Sequence, residues 1–194
     1  MTIAQPSRPA DNPFASHRIE ALAYRGPVVS GEDLDSRIDA LGGRAAVVGP
    51  KGSGKTTLLE ELGGQLPGPV VMVRIPSGDP HPYRTAIRQL PHPLTSSHTI
   101  LVDSAEQLGP LAWNAFLARV RNADRLVVTL HRPGRLPTFI ECSTSPALLR
   151  DLVGELAPLD APALEPNLDE IFDRHAGNIR MCLMELYDVY AGRC

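Results

Sequence analysis

The chain has 194 residues, enough for one full hydrophobic core or for one core with a small attached lid. With 43% hydrophobic and 21% charged residues most of it is expected to fold, and a net charge of −3 argues against sequence-independent nucleic-acid binding through a basic surface. No apolar run approaches a membrane span, and residues 1–13 lack the apolar core of a signal peptide. Cys142, Cys182 and Cys194 are odd in number and show no metal-type spacing, which points to reduced thiols in a cytoplasmic protein. The six histidines show no ligand spacing either.

In chain order, residues 1–13 are polar and proline-containing and predict a flexible tail. Residues 14–29 carry scattered apolar side chains and predict a strap over the domain. Leu34, Ile38 and Leu41 share one face of a short helix over 31–41, which Gly42-Gly43 ends. Residues 44–48 (Arg-Ala-Ala-Val-Val) predict a buried strand, and 55–62 a helix with Leu58, Leu59 and Leu62 inward, stopped at Gly63-Gly64. Further strands are expected at 69–75, 98–103, 125–130 and, shorter, 137–142. Helical pieces fall between them near 83–90 and at 108–120. Strands alternating with helices imply a parallel sheet covered on both faces, an α/β core over 14–144. No strand signal follows Thr144. Ser145-Pro146 opens a helix, Asn167 is placed to cap a second one through Phe172, and Gly177-Asn178 precedes a third reaching about Tyr190. Residues 145–194 therefore read as a small helical lid.

Between the first strand and its helix stands Gly-Pro-Lys-Gly-Ser-Gly-Lys-Thr, residues 49–56, a complete G-x-x-x-x-G-K-T phosphate loop in its required strand–loop–helix context. It holds the only two lysines of the chain, Lys51 and Lys55. Gly49, Gly52 and Gly54 allow positive φ and a close backbone approach, so that consecutive N–H groups form an anion nest at the positive end of a helix. Pro50 and Ser53 complete the cradle. Lys51 occupies a free position of the motif and reads more readily as a solvated charge. Lys55 can reach the β- and γ-phosphates, the Thr56 hydroxyl can ligate Mg²⁺, and Thr57 is expected near the α-phosphate. The ligand implied is a nucleoside triphosphate with Mg²⁺, and the missing guanine-reading Asn-Lys-x-Asp motif favours ATP.

Asp103 ends the apolar run Ile-Leu-Val-Asp and is placed to hold the Mg²⁺ shell with Thr56, or to cap the next turn. Ser104 stands where many ATPases place the glutamate that orients water. The next acid, Glu106, lies about one helical turn on, as a water-orienting base or as a solvated acid suited to a helix start. Thr129 and His131 sit at the end of the fourth predicted strand, where a parallel sheet presents its ligand crevice; a β-branched strand residue and a loop residue are the plainer alternatives. Arg132 and Arg135, in the loop after it, read as solvated arginines before they read as fingers acting in trans. Arg180, in Gly177-Asn178-Ile179-Arg180, is placed at the start of a lid helix, either to reach the phosphates or to lie on the surface.

Together these residues resemble the AAA+ ATPases, within the additional-strand class of P-loop proteins, over most of residues 31–190. The first phosphate motif is 49–56, the second Asp103, the first sensor Thr129 and the second sensor 177–180. The resemblance is nearest to small stand-alone or initiator-like members. It implies a 5-1-4-3-2 sheet with a helical lid, adenine held between strap and lid, and a protein partner or homo-oligomer. Three departures stand out: the absent adjacent glutamate, a short segment between strands four and five, and a small lid. The resulting expectation is an ATP-binding, slowly hydrolysing regulatory or assembly ATPase whose lid closure switches a protein-facing surface. Its alternatives are a small-molecule kinase, with an acceptor near Arg84 or Arg88, and a nucleotide-sensing module without turnover.

Overall fold

The computed structural model describes residues 9–26 and 31–192. In chain order it contains a 3-10 turn at Pro9–Asp11, α1 (Ser16–Glu20), α2 (Gly31–Ala40), β1 (Arg44–Val48), α3 (Lys55–Gln65), β2 (Val70–Arg74), α4 (Pro82–Arg88) and β3 (Thr99–Asp103). A second 3-10 turn at Ala105–Gln107 leads to α5 (Pro110–Val120), β4 (Arg125–Leu130), β5 (Thr138–Glu141), α6 (Pro146–Leu156), α7 (Ala161–Arg174) and α8 (Ile179–Tyr190). Contacts divide the described residues into two compact units. Of these residues, one unit comprises 26, 31–49 and 54–142, the other 9–25, 50–53 and 143–192.

In the α/β unit five parallel strands pair in the order β2-β3-β4-β1-β5, which is 5-1-4-3-2. Strand alternation sends side chains to opposite faces. Ala46, Val48, Val73, Ile100, Val102, Leu126 and Val128 share one buried cluster with Ala86 of α4 and with Trp113 and Phe116 of α5. Leu101, of opposite parity, faces α3. Gly63 lets that helix come close, since a Cβ there would stand 2.9 Å from Leu101 Cδ1. This corrects the expected stop at Gly63-Gly64. The helix runs on to Gln65, and Gly63 serves the packing of helix on sheet rather than termination. The Arg44 guanidinium donates to the carbonyls of Arg121, Ala123 and Asp124, satisfying orphan acceptors beyond α5.

The other unit is helical. Leu149, Leu152 and Val153 of α6, Leu164, Leu168 and Ile171 of α7, and Ile179, Cys182, Leu183, Leu186 and Tyr190 of α8 form one cluster, with Phe14 inside it. Ser145 Oγ accepts from Leu148 N and Asn178 Oδ1 from Met181 N, so α6 and α8 are side-chain capped. The α7 start differs from the sequence reading. Pro166 and Asn167 lie inside a helix that begins at Ala161, because Leu164, Leu168 and Ile171 supply one continuous apolar stripe. Burial in this unit pushes the Cys182 thiol up to about 11, in keeping with an unreactive core residue.

Residues 12–25 pack with this helical core. Of the expected tail, residues 1–8 lie outside the described part. Asn12 is 1% exposed and donates to Tyr187 O at 2.9 Å, and Phe14 meets Tyr190 edge-to-face at 5.3 Å. Arg18 donates to Leu156 O, and Arg25 pairs with Glu155. Residues 12–25 are thus fastened to the helices after Ser143. The expected boundary at residue 14 between tail and α/β core does not match this packing.

Candidate functional site

Gly52 and Gly54 take φ of +77° and +80°, the left-handed region where a side chain is strained. Gly49 does not, contrary to expectation; its N–H extends the sheet ladder to Leu130 O at 3.1 Å. Ser53 Oγ donates to Pro50 O at 2.9 Å and so braces the loop from within. Gly54 then serves as the N-cap residue of α3, and Lys55, Thr56 and Thr57 form the first turn of that helix. The first N–H groups of a helix have no acceptor within the helix, and such a turn suits an anion. Lys55 is 8% exposed, Thr57 half-buried, and Lys51 and Thr56 exposed.

At the carboxyl end of β3, Asp103 accepts from two hydroxyls. Thr56 Oγ1 meets Oδ2 at 3.0 Å, and Thr129 Oγ1 meets Oδ1 at 2.8 Å. Thr129 Oγ1 accepts in turn from Ser104 N at 2.7 Å. One hydrogen-bonded chain therefore joins the first turn of α3, the end of β3 and the end of β4. The sheet order makes this possible, since β4 lies between β3, which ends in Asp103, and β1, which leads through the loop into α3.

A hydroxyl and a carboxylate side by side form a hard oxygen pair that suits Mg²⁺, an ion that keeps several waters and takes its other ligands from phosphates. Among the described residues no group of three or more His, Cys, Asp or Glu side chains is placed to hold a metal.

Ser104 is a non-glycine residue with φ +64° and ψ +44°. This left-handed turn redirects the chain into the Ala105–Gln107 turn and brings Glu106 round to His131, whose Nε2 lies 3.1 Å from Glu106 Oε1. Glu106 stands in the first turn of that 3-10 segment, with its side chain 20% exposed.

Arg135 is committed within its own chain. It donates to the carbonyls of Ala105 and Leu108 at 2.8 and 2.7 Å, and its guanidinium lies 5.2 Å from the Trp113 ring centroid. Arg132 is exposed. Arg180 is the second residue of α8, exposed, and makes no ion pair among the described residues. Arg84 and Arg88 are exposed on α4.

One participant and one contact escape sequence reasoning. The Ser104 N–H enters the hydrogen-bonded chain through backbone geometry, which no residue type announces. Asn178 lies against Gly52 in the same compact unit, where a Cβ on Gly52 would stand 2.1 Å from Asn178 Oδ1 and 3.0 Å from Ile179 N. In the sequence Gly177-Asn178 reads as a break before a helix and as part of the second-sensor resemblance, and neither reading points to Gly52.

No protein-family model and no curated protein matches this chain. Solved structures do. A lysine-to-arginine mutant of Thermotoga maritima RuvB is similar over 83% of this chain at a TM-score of 0.52 and 14% identity. An arginine-to-alanine mutant of the same protein is similar over 83% at 0.51 and 17%. A further structure, described as the RuvB Holliday junction branch migration motor, gives 0.42 at 15% identity. In the first two, the likeness spans 62% of the RuvB chain. At these identities it shows the fold alone, a P-loop NTPase fold of the AAA+ type with a C-terminal helical part. No described helix is long and apolar enough to cross a membrane.

Proposed function

We propose that the chain binds ATP with Mg²⁺ at residues 49–57 and hydrolyses it slowly, as a regulatory or assembly ATPase. The observation that carries this reading is the chain Thr56–Asp103–Thr129–Ser104 N beside a loop with left-handed Gly52 and Gly54. The loop amides and Lys55 hold the phosphates, and Thr57 lies by the α-phosphate. Thr56 and Asp103 hold the ion, which supplies charge neutralisation at the phosphates. Thr129 fixes the carboxylate. Glu106 takes a proton from a water whose oxygen bonds to the γ-phosphorus. The bond from that phosphorus to the β,γ-bridging oxygen breaks, and its electron pair leaves with ADP. Arg180 meets the phosphates on closure of the helical part, and that closure alters a surface offered to a protein partner or a second copy.

The test is phosphate release from ATP by the full chain, with and without Mg²⁺, for the wild type and for Asp103→Asn. The expected result is a low, Mg²⁺-dependent rate that the substitution abolishes. A rate that appears only with an added nucleoside or metabolite would instead favour a phosphotransferase.

A further inference from the structure

Two acids are held by residues at and just past the end of β4 (Arg125–Leu130). Thr129 binds Asp103 at 2.8 Å, and His131, two positions on, binds Glu106 at 3.1 Å. The acids are three positions apart, and the left-handed Ser104 between them turns the second toward its partner. Only one oxygen of Glu106 is engaged. Its Oε2 is buried and has no hydrogen-bond partner among the described residues.

A buried carboxylate oxygen left unpaired is costly, and such groups in folded chains are accounted for by an ordered water or a chemical role. The side chains of His131 and Glu106 are 32% and 20% exposed, so other atoms of the pair meet solvent while this oxygen is buried. A water reaching it would find an acceptor already fixed in direction by the imidazole on the other oxygen.

We infer that His131 is the positioning residue for Glu106. It holds Oε1 and thereby aims Oε2 at the water to be deprotonated, so a histidine just past β4 and an acid three residues past Asp103 do the work of the missing adjacent glutamate. His131 itself touches no reacting atom. This rests on Glu106 being the proton acceptor. A purely structural His131 would tie the end of β4 to the turn at residues 105–107, and its loss would show in folding or ATP affinity rather than in turnover alone.

The experiment measures kcat for ATP hydrolysis and, by calorimetry, the Kd for ATP–Mg²⁺ on full chains carrying Glu106→Gln, His131→Ala or His131→Gln, with thermal melts confirming folding. A positioned base is worth roughly 10²–10⁴-fold, so Glu106→Gln should lower kcat by about 100-fold or more. His131→Ala should lower kcat by about tenfold or more, part of that same factor, with Kd unchanged. His131→Gln, whose amide nitrogen falls near the imidazole Nε2, should recover most of the loss. Wild-type kcat in His131→Ala, no recovery in His131→Gln, or a loss carried by Kd or folding overturns the inference while Glu106 keeps its role. Wild-type kcat in Glu106→Gln, or no turnover by the wild type, overturns that role and the inference together.

Discussion

The hydroxyl of Thr129 links Asp103 to the next backbone amide: it donates to Asp103 Oδ1 at 2.8 Å and accepts from Ser104 N at 2.7 Å. Asp103 therefore enters the site with one oxygen already committed and the other turned to Thr56. The strained turn at Ser104 is held by the same hydroxyl.

Thr129→Val keeps the shape and removes this bridge from a residue that is 1% exposed. It leaves the Ser104 amide without its acceptor, which should cost about 1–3 kcal/mol in urea denaturation. Turnover should fall with it, because Asp103 becomes free to rotate.

Gly52→Ala meets two obstacles, the left-handed φ and Asn178 Oδ1 at 2.1 Å from the new methyl. It should weaken ATP binding and lower stability. Adding Asn178→Ser keeps a capping hydroxyl for α8 but removes the amide that crowds the methyl. The double variant should regain part of the lost affinity by calorimetry, the remainder being backbone strain. A double variant no better than Gly52→Ala would show that the crowding is irrelevant.

Arg135→Ala should destabilise the α/β unit by about 1–3 kcal/mol, since two carbonyls lose a charged donor. Trp113, the only tryptophan in the chain, reports this directly through its fluorescence on denaturation. Arg132→Ala, on an exposed side chain, should stay within about 0.5 kcal/mol of the wild type.

Phe14→Ala should cost about 3–5 kcal/mol, the range for emptying a buried aromatic site, because Phe14 is 1% exposed in the helical cluster. Near-wild-type stability would mean that residues 12–25 are the detachable segment their composition suggests.

Much of the fold was legible because its signals are local. Short apolar runs gave five strands, and the glycine-lysine-threonine loop fixed where the first strand ends and the first core helix begins. Asp103 was legible as the polar end of an apolar run. Non-local effects were not. Gly63 looks like a stop until Leu101 is seen beneath it, and Pro166 looks like a boundary until the stripe Leu164, Leu168, Ile171 carries the helix past it. The polar start of the chain hides two residues, Asn12 and Phe14, whose partners lie some 175 positions away. In the site, the loop was written in sequence. The pairs Thr129–Asp103 and His131–Glu106 depend on β4 lying beside β3, a neighbourhood set by sheet order rather than by adjacency in the chain.

The most direct measurement is calorimetric titration of ATP–Mg²⁺ into the wild-type chain and into Lys55→Ala. The account predicts saturable one-to-one binding by the wild type and a loss of at least about 100-fold in affinity for the variant, from removal of a charged phosphate contact in a partly desolvated cradle. No binding by the wild type, or equal binding by both, would contradict it.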